Sequence, residues 1–156
     1  MKQILLICAV VMGQSVLAAD KKPLTKEESA KVIEAAIRKA AKKPTGELTK
    51  VDLEKVTELH IQYIGLTSVE GLEKLTQLKK LLLNDNQLTD VKGLEKLTQL
   101  KELSLSGNQL TDVKGLEKLT QLTYLNLYNN PDLTKAQIDQ LQKALPKCKI
   151  LSNPTK

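Results

Sequence analysis

Leucines and their aliphatic substitutes recur through the middle of this chain at a fixed interval, with polar residues between them. Leu78, Leu81, Leu83, Leu88, Val91, Leu94 and Leu97 return 22 positions later as Leu100, Leu103, Leu105, Leu110, Val113, Leu116 and Leu119, and Asn86 returns as Asn108. Residues 87–100 and 109–122 are the same fourteen letters, QLTDVKGLEKLTQL. Self-similarity of this kind outranks local propensity, because a repeating unit has to be read before its parts. Within each unit the L-x-L step predicts one short strand, with both leucines turned inward and their neighbours outward. One period earlier, Leu59-x-Ile61 matches Leu81-x-Leu83, which places repeat one at residues 56–77, with Ile64 where later units have Asn. Repeats two and three are residues 78–99 and 100–121, and repeat four opens with Leu122, Leu125, Leu127 and Asn130.

The pattern changes at both ends. Thr25 and Glu28 form a T-x-x-E capping box ahead of Val32, Ile33, Ala36, Ile37 and Ala40, which share one helical face. Pro44 and Gly46 end that helix. A repeat array exposes its core at each open end, so this amphipathic helix is read as a cap over repeat one, with a membrane or partner helix as the alternative. Residues 48–55 read as a shortened convex half-repeat. After Leu127, residues 134–145 predict a second helix with Ile138, Leu141 and Leu145 on one face. Leu145, Cys148, Ile150 and Asn153 then read as L-x-x-L-x-L-x-x-N once more, a truncated fifth strand with Cys148 as a core residue.

The spacing L-x-x-L-x-L-x-x-N-x-L in residues 78–88 is that of leucine-rich repeats, and the chain resembles bacterial secreted leucine-rich-repeat proteins with the 22-residue internalin-like unit. The resemblance covers roughly residues 25–153. It implies an α/β solenoid of about four to five units, with a parallel concave sheet, a helical N-terminal cap and a helix-plus-strand C-terminal cap. It also implies that Asn86, Asn108 and Asn130 bond to backbone groups of adjacent turns as a ladder. Gly71, Gly93 and Gly115 permit a tight bend before each L-E-K-L turn. Internalin-like adhesins often continue into further domains and a wall-sorting signal; neither is read here, so the expectation is a small soluble exported protein.

Composition adds a compartment. Residues 1–19 read as a signal peptide, with Lys2, an apolar run from Ile4 to Met12, and small residues at 18 and 19. Residues 20–47 are then linker and N-terminal cap, 48–153 the repeat domain with its C-terminal cap, and 154–156 a tail. The formal charge of +6 becomes +5 once Lys2 is removed. Lys and Glu alternate along the repeats, as in Lys92, Glu95 and Lys96, which reads as a scattered excess and not a nucleic-acid groove. Only Cys148 remains in the mature chain, so no internal disulfide can form. With three Tyr and no Phe or Trp, the core must be aliphatic.

The outward strand positions are the candidate site, because solenoids bind with the concave sheet. They are Glu58, His60, Gln62 and Tyr63 in repeat one; Lys80, Leu82, Asn84 and Asp85 in repeat two; Glu102, Ser104 and Ser106, beside Gly107, in repeat three; and Tyr124, Asn126 and Tyr128, beside Asn129, in repeat four. The convex halves are near-identical between repeats while these positions differ, and they hold all three tyrosines and the single histidine. Tyr gives large contact area at low entropic cost. The expected function is a non-enzymatic exported module binding a protein or peptide, as a monomer, with no cofactor, metal, nucleic acid or stable membrane insertion. The alternatives are a passive envelope scaffold and, more weakly, an envelope hydrolase or its inhibitor built on His60 beside Glu58. Such pairs are common on solvated strands, and no metal-ligand spacing or phosphate loop accompanies this one.

Overall fold

The computed structural model describes residues 22–153; the segment read as a signal peptide and the tail lie outside the described residues. Five strands form one parallel sheet in chain order: β1 (Glu58–His60), β2 (Lys80–Leu82), β3 (Glu102–Ser104), β4 (Tyr124–Asn126) and β5 (Lys149–Leu151). Each is three residues long because the inward pattern is only L-x-L. Leu59, Leu81, Leu103, Leu125 and Ile150 stand in register across the sheet. The far side of the first three coils is a 3₁₀ turn, at Leu72–Lys74, Leu94–Lys96 and Leu116–Lys118. Each turn follows a glycine with φ of 100°, 98° or 96°, a region that only glycine enters freely. The glutamate inside each turn reaches back to that glycine's N–H at 2.6 Å.

Leucines fill the space between sheet and turns. Leu75, Leu78, Leu81, Leu83, Leu94, Leu97, Leu100, Leu103 and Leu105 are all fully buried in one continuous cluster. The asparagine ladder closes the polar side of the coil. The Asn86 Oδ1 accepts from the N–H groups of Ile64, Gly65 and Leu66 at 3.2, 3.1 and 3.1 Å, and its Nδ2 donates to the carbonyls of Ile61 and Leu83. Asn108 and Asn130 repeat the arrangement one and two coils on. Each side chain satisfies backbone groups of two coils that would otherwise be buried without partners.

The N-terminal end is closed by α1 (Lys26–Ala40), whose cap is Thr25 with the Glu28 capping box. Its buried face is Ser29, Ile33, Ile37 and Ala41, while Ala40 is exposed and Val32 and Ala36 are half-buried. The expected face is therefore rotated slightly: Ala41 continues the i, i+4 spacing of Ile33 and Ile37, and Ser29 begins it. The Ser29 hydroxyl accepts from the Thr67 N–H at 3.2 Å, and the Thr67 hydroxyl donates to the Leu24 carbonyl at 2.8 Å, fastening the cap to repeat one.

Residues 48–55 lie where a shortened convex half-repeat is expected: the Val56 N–H bonds to the Leu53 carbonyl as Leu78 does to Leu75. Thr49 caps a short helix, α2 (Lys50–Glu54), and Asp52 completes a second capping box. The Asp52 carboxylate accepts from Lys43 Nζ at 2.6 Å, Thr49 Oγ1 at 2.6 Å and the Thr49 N–H at 3.0 Å. The Lys43 and Thr49 bonds hold its carboxyl well below the usual carboxylate range.

At the other end α3 (Lys135–Ala144) starts from a Thr134–Gln137 capping box and buries Leu141, with Leu145 and Cys148 behind it. The register of the last unit differs from the sequence expectation. Ile150 pairs with Leu125, not Leu127, and the Cys148 N–H bonds to the Leu145 carbonyl as Leu122 does to Leu119. Cys148 thus fills the place of Leu122, because one residue is missing between it and the strand. It remains a core residue, and burial pushes its thiol up. Asn153 falls short of the ladder position and instead accepts from the Asn129 N–H at 2.6 Å.

Two outcomes follow from this packing. Leu103→Ala, at a site with 0% exposure, is expected to cost about 2–5 kcal/mol by chemical denaturation; a loss below about 1 kcal/mol would contradict its place in the core. Asp52 has a lowered folded pKa, so its contribution is present above the ordinary value of 3.8 and drains away as pH falls below it. Asp52→Asn should therefore lower the melting temperature at neutral pH, with the gap to the parent protein closing in strong acid.

Candidate functional site: the sheet face

Strand register sorts the outward side chains into rows. Glu58, Lys80, Glu102, Tyr124 and Lys149 form the first, and His60, Leu82, Ser104, Asn126 and Leu151 the second. Gln62, Asn84, Ser106 and Tyr128 follow just beyond the strands at one-repeat spacing, linked at one point by the Asn84 Nδ2 donating to Gln62 Oε1 at 3.0 Å. All the strand and row positions expected from the sequence lie on this face. Lys149 and Leu151 belong there too; extending the rows to β5 in its true register would have found them.

The rows are not equally available. Glu58, His60 and Tyr128 are exposed, while Leu82, Tyr124 and Asn126 are half-buried. Ser104 points to the same face but is buried at 4% exposure, a small side chain between Leu82 and Asn126 in register. Lys80 and Glu102 hold each other in an ion pair at 2.9 Å, which spends both charges within the first row. The Asn84 Oδ1 is buried and accepts no hydrogen bond among the described residues. Neither the ion pair nor this orphan acceptor was legible in the sequence, since both depend on which side chains the register sets side by side.

Beyond the third row the chain turns sharply. Tyr63, Asp85, Gly107 and Asn129 all sit in the left-handed region, with φ of 59°, 54°, 68° and 57°. That conformation tips the chain from the strand into the asparagine ladder. Asp and Asn tolerate it, glycine adopts it freely, and a tyrosine there is unusual. A Cβ at Gly107 would meet the Asp85 carboxylate, so a side chain at this point of the third repeat would require that carboxylate to shift. The negative charge of Asp85, and the hydrogen bond its carboxylate accepts from the Tyr63 hydroxyl, push the Tyr63 phenol above its ordinary value. Tyr63 and Tyr128 are both 54% exposed and lie three strands apart, roughly 14 Å.

Two clefts lie away from the sheet face. A cleft of about 420 Å³ separates α1 from the first 3₁₀ turn, and one of about 640 Å³ lies between α3 and the convex turns of repeats two and three. Among the described residues no three of His, Cys, Asp and Glu gather as a metal site would require, and no helix is long and apolar enough to cross a membrane.

Residues 98–143 match the family model for Leucine Rich repeats (2 copies). Among solved structures the chain is similar to an internalin C2 from Listeria monocytogenes, at 29% identity over 84% of this chain and 60% of that one, with a TM-score of 0.67. The chain carries leucine-rich repeats, and its structure resembles those of internalins. A second internalin from the same organism aligns at 25% identity over 80% of this chain and 43% of that one, with a TM-score of 0.58. This leucine-rich-repeat protein thus spans less than two thirds of the length of either internalin. A chain of the Drosophila melanogaster SNF/U2A' complex is 28% identical over 70% of this chain and 67% of that one, with a TM-score of 0.53. No curated protein matches it. Domains of this kind are typically protein-interaction modules.

The Tyr63–Asp85 contact is open to direct test. In a Tyr124→Phe, Tyr128→Phe background, alkaline spectrophotometric titration should place the remaining phenol above 10.0, and Asp85→Asn should bring it down. An unchanged titration after that substitution would remove the contact.

Proposed function

We propose that this protein is an exported, non-enzymatic module that binds a protein or peptide segment on its sheet face and works as a monomer. In this reading residues 1–19 direct export to the periplasm or beyond and are removed, residues 20–47 are linker and N-terminal cap, and residues 48–153 carry the binding domain. The observation that carries it is the contrast between the two sides of one coil. Residues 87–100 and 109–122 are identical on the turn side, yet the adjacent sheet-face positions Lys80, Leu82 and Asn84 become Glu102, Ser104 and Ser106. The fourth repeat adds Tyr124 and Tyr128, two aromatic side chains from one strand and its exit, with Asn126 between them. Tyrosines flanked by small polar groups are what adaptable protein contacts use. The buried, unpartnered Asn84 Oδ1 adds an acceptor that a ligand donor could satisfy after a small side-chain shift.

A passive scaffold is the second reading, favoured by the Lys80–Glu102 pair and the buried Ser104, which leave the middle of the face satisfied internally. Affinity capture from envelope extract separates the two. With a binding module, Tyr124→Ala combined with Tyr128→Ala should weaken the captured partner about tenfold or more while leaving the melting temperature nearly unchanged. Failure of the parent protein to capture anything would favour the scaffold.

A further inference from the structure

Positive charge is scattered along the sequence, but the fold sorts it. Each coil returns from its 3₁₀ turn to the next strand through KLTQLK at 74–79 and 96–101, or KLTQLT at 118–123. Both leucines of each segment are buried, and every other side chain in it is exposed. No carboxylate occurs in any of the three. Stacking the coils therefore builds columns of lysine on one flank. Lys74, Lys96 and Lys118 follow the corner with the turns, and Lys79 and Lys101 the corner with the sheet. Lys147, in the equivalent of Gln121's place, continues the flank at the C-terminal end.

These lysines take no part in the ion pairs formed among the described residues. The nearest carboxylates in sequence are fixed in place: Glu73, Glu95 and Glu117 turn back onto glycine N–H groups and keep their charge, that of Glu95 being felt by Lys96 and Lys118, and Glu102 is held by Lys80. The opposite flank has the reverse character. It carries Asp85, Asp90, Asp112 and Asp132, with no Lys or Arg at 84–91, 106–113 or 128–134. The solenoid is thus polarised from one flank to the other, which an alternation of Lys and Glu along the chain conceals.

The chemistry of the basic flank selects its partner. It has no aromatic side chain to stack on a base or sugar and no arginine to grip a phosphate in two places. Its leucines point inward, so nothing apolar projects from it. What remains is a two-dimensional array of separate point charges, with neighbouring coils about 5 Å apart on the sheet side. Mobile anionic headgroups can arrange themselves under such an array, and the attraction falls off within a Debye length. We propose that this flank lies against an anionic phospholipid surface, held electrostatically and without insertion. The sheet face then stands beside the membrane and not against it, free for a protein partner; the membrane contact does not depend on that partner's existence.

The test is co-sedimentation of the purified protein with vesicles of equal parts phosphatidylglycerol and phosphatidylcholine, against phosphatidylcholine alone. The parent protein should bind only the anionic vesicles and be released by about 0.5 M NaCl. A variant carrying Lys96→Gln, Lys101→Gln and Lys118→Gln should bind at least about tenfold more weakly. A variant with the same charge loss on other faces, Lys92→Gln, Lys114→Gln and Lys135→Gln, should stay within about twofold of the parent. All substituted side chains are exposed, and matching melting temperatures would verify that folding is intact. Equal loss in both variants, absence of binding to anionic vesicles, or tighter binding to duplex DNA than to vesicles at matched phosphate concentration would each overturn the proposal.

Discussion

A leucine in one coil leaves water only when the coils on either side are in place. That dependence governs the molecule. No single unit of 22 residues can bury Leu81, Leu83, Leu94 and Leu97 against itself, so each coil is stable only as part of a stack, and the stack needs a closed end on each side. The register of the strands follows from the same demand. Sliding one coil by a residue would turn every inward leucine outward, and the L-x-L step leaves no compromise.

The asparagine ladder and the caps complete what burial begins. Stacked coils trap backbone groups between them, and Asn86, Asn108 and Asn130 give those groups partners in two coils at once. Repeat one has Ile64 in the ladder position, and there Leu24 and α1 supply polar contacts in its place. At the far end α3 and β5 cover the fourth coil with a thinner layer, and Ile150 is only partly buried.

With the interior committed to packing, chemistry is left to the surface, and the geometry divides that surface by direction. The sheet face gathers the residues that vary from repeat to repeat. The turn side gathers the residues that stay the same, with glutamates tied to glycine N–H groups. The two flanks carry opposite charge. A solenoid therefore offers several independent surfaces on one small core, each reached by choosing side chains at one position of the period.

The period itself was readable from residues alone, and with it the parallel sheet, the tight bends at Gly71, Gly93 and Gly115, the two terminal helices and the rows of outward side chains. Inward and outward are decided by a spacing of two, which a linear sequence displays. Other features needed neighbours that the sequence does not name. Ser104 is outward yet buried, because Leu82 and Asn126 stand on either side of it. Lys80 meets Glu102 and Tyr63 meets Asp85 only across coils. The last strand slid by two residues from its expected register once the shortened step from Cys148 to Ile150 met the fixed position of Leu125. Lys and Glu alternate along the chain, yet stacking at one fixed interval adds like to like, so charges that mix in one dimension separate into flanks in three.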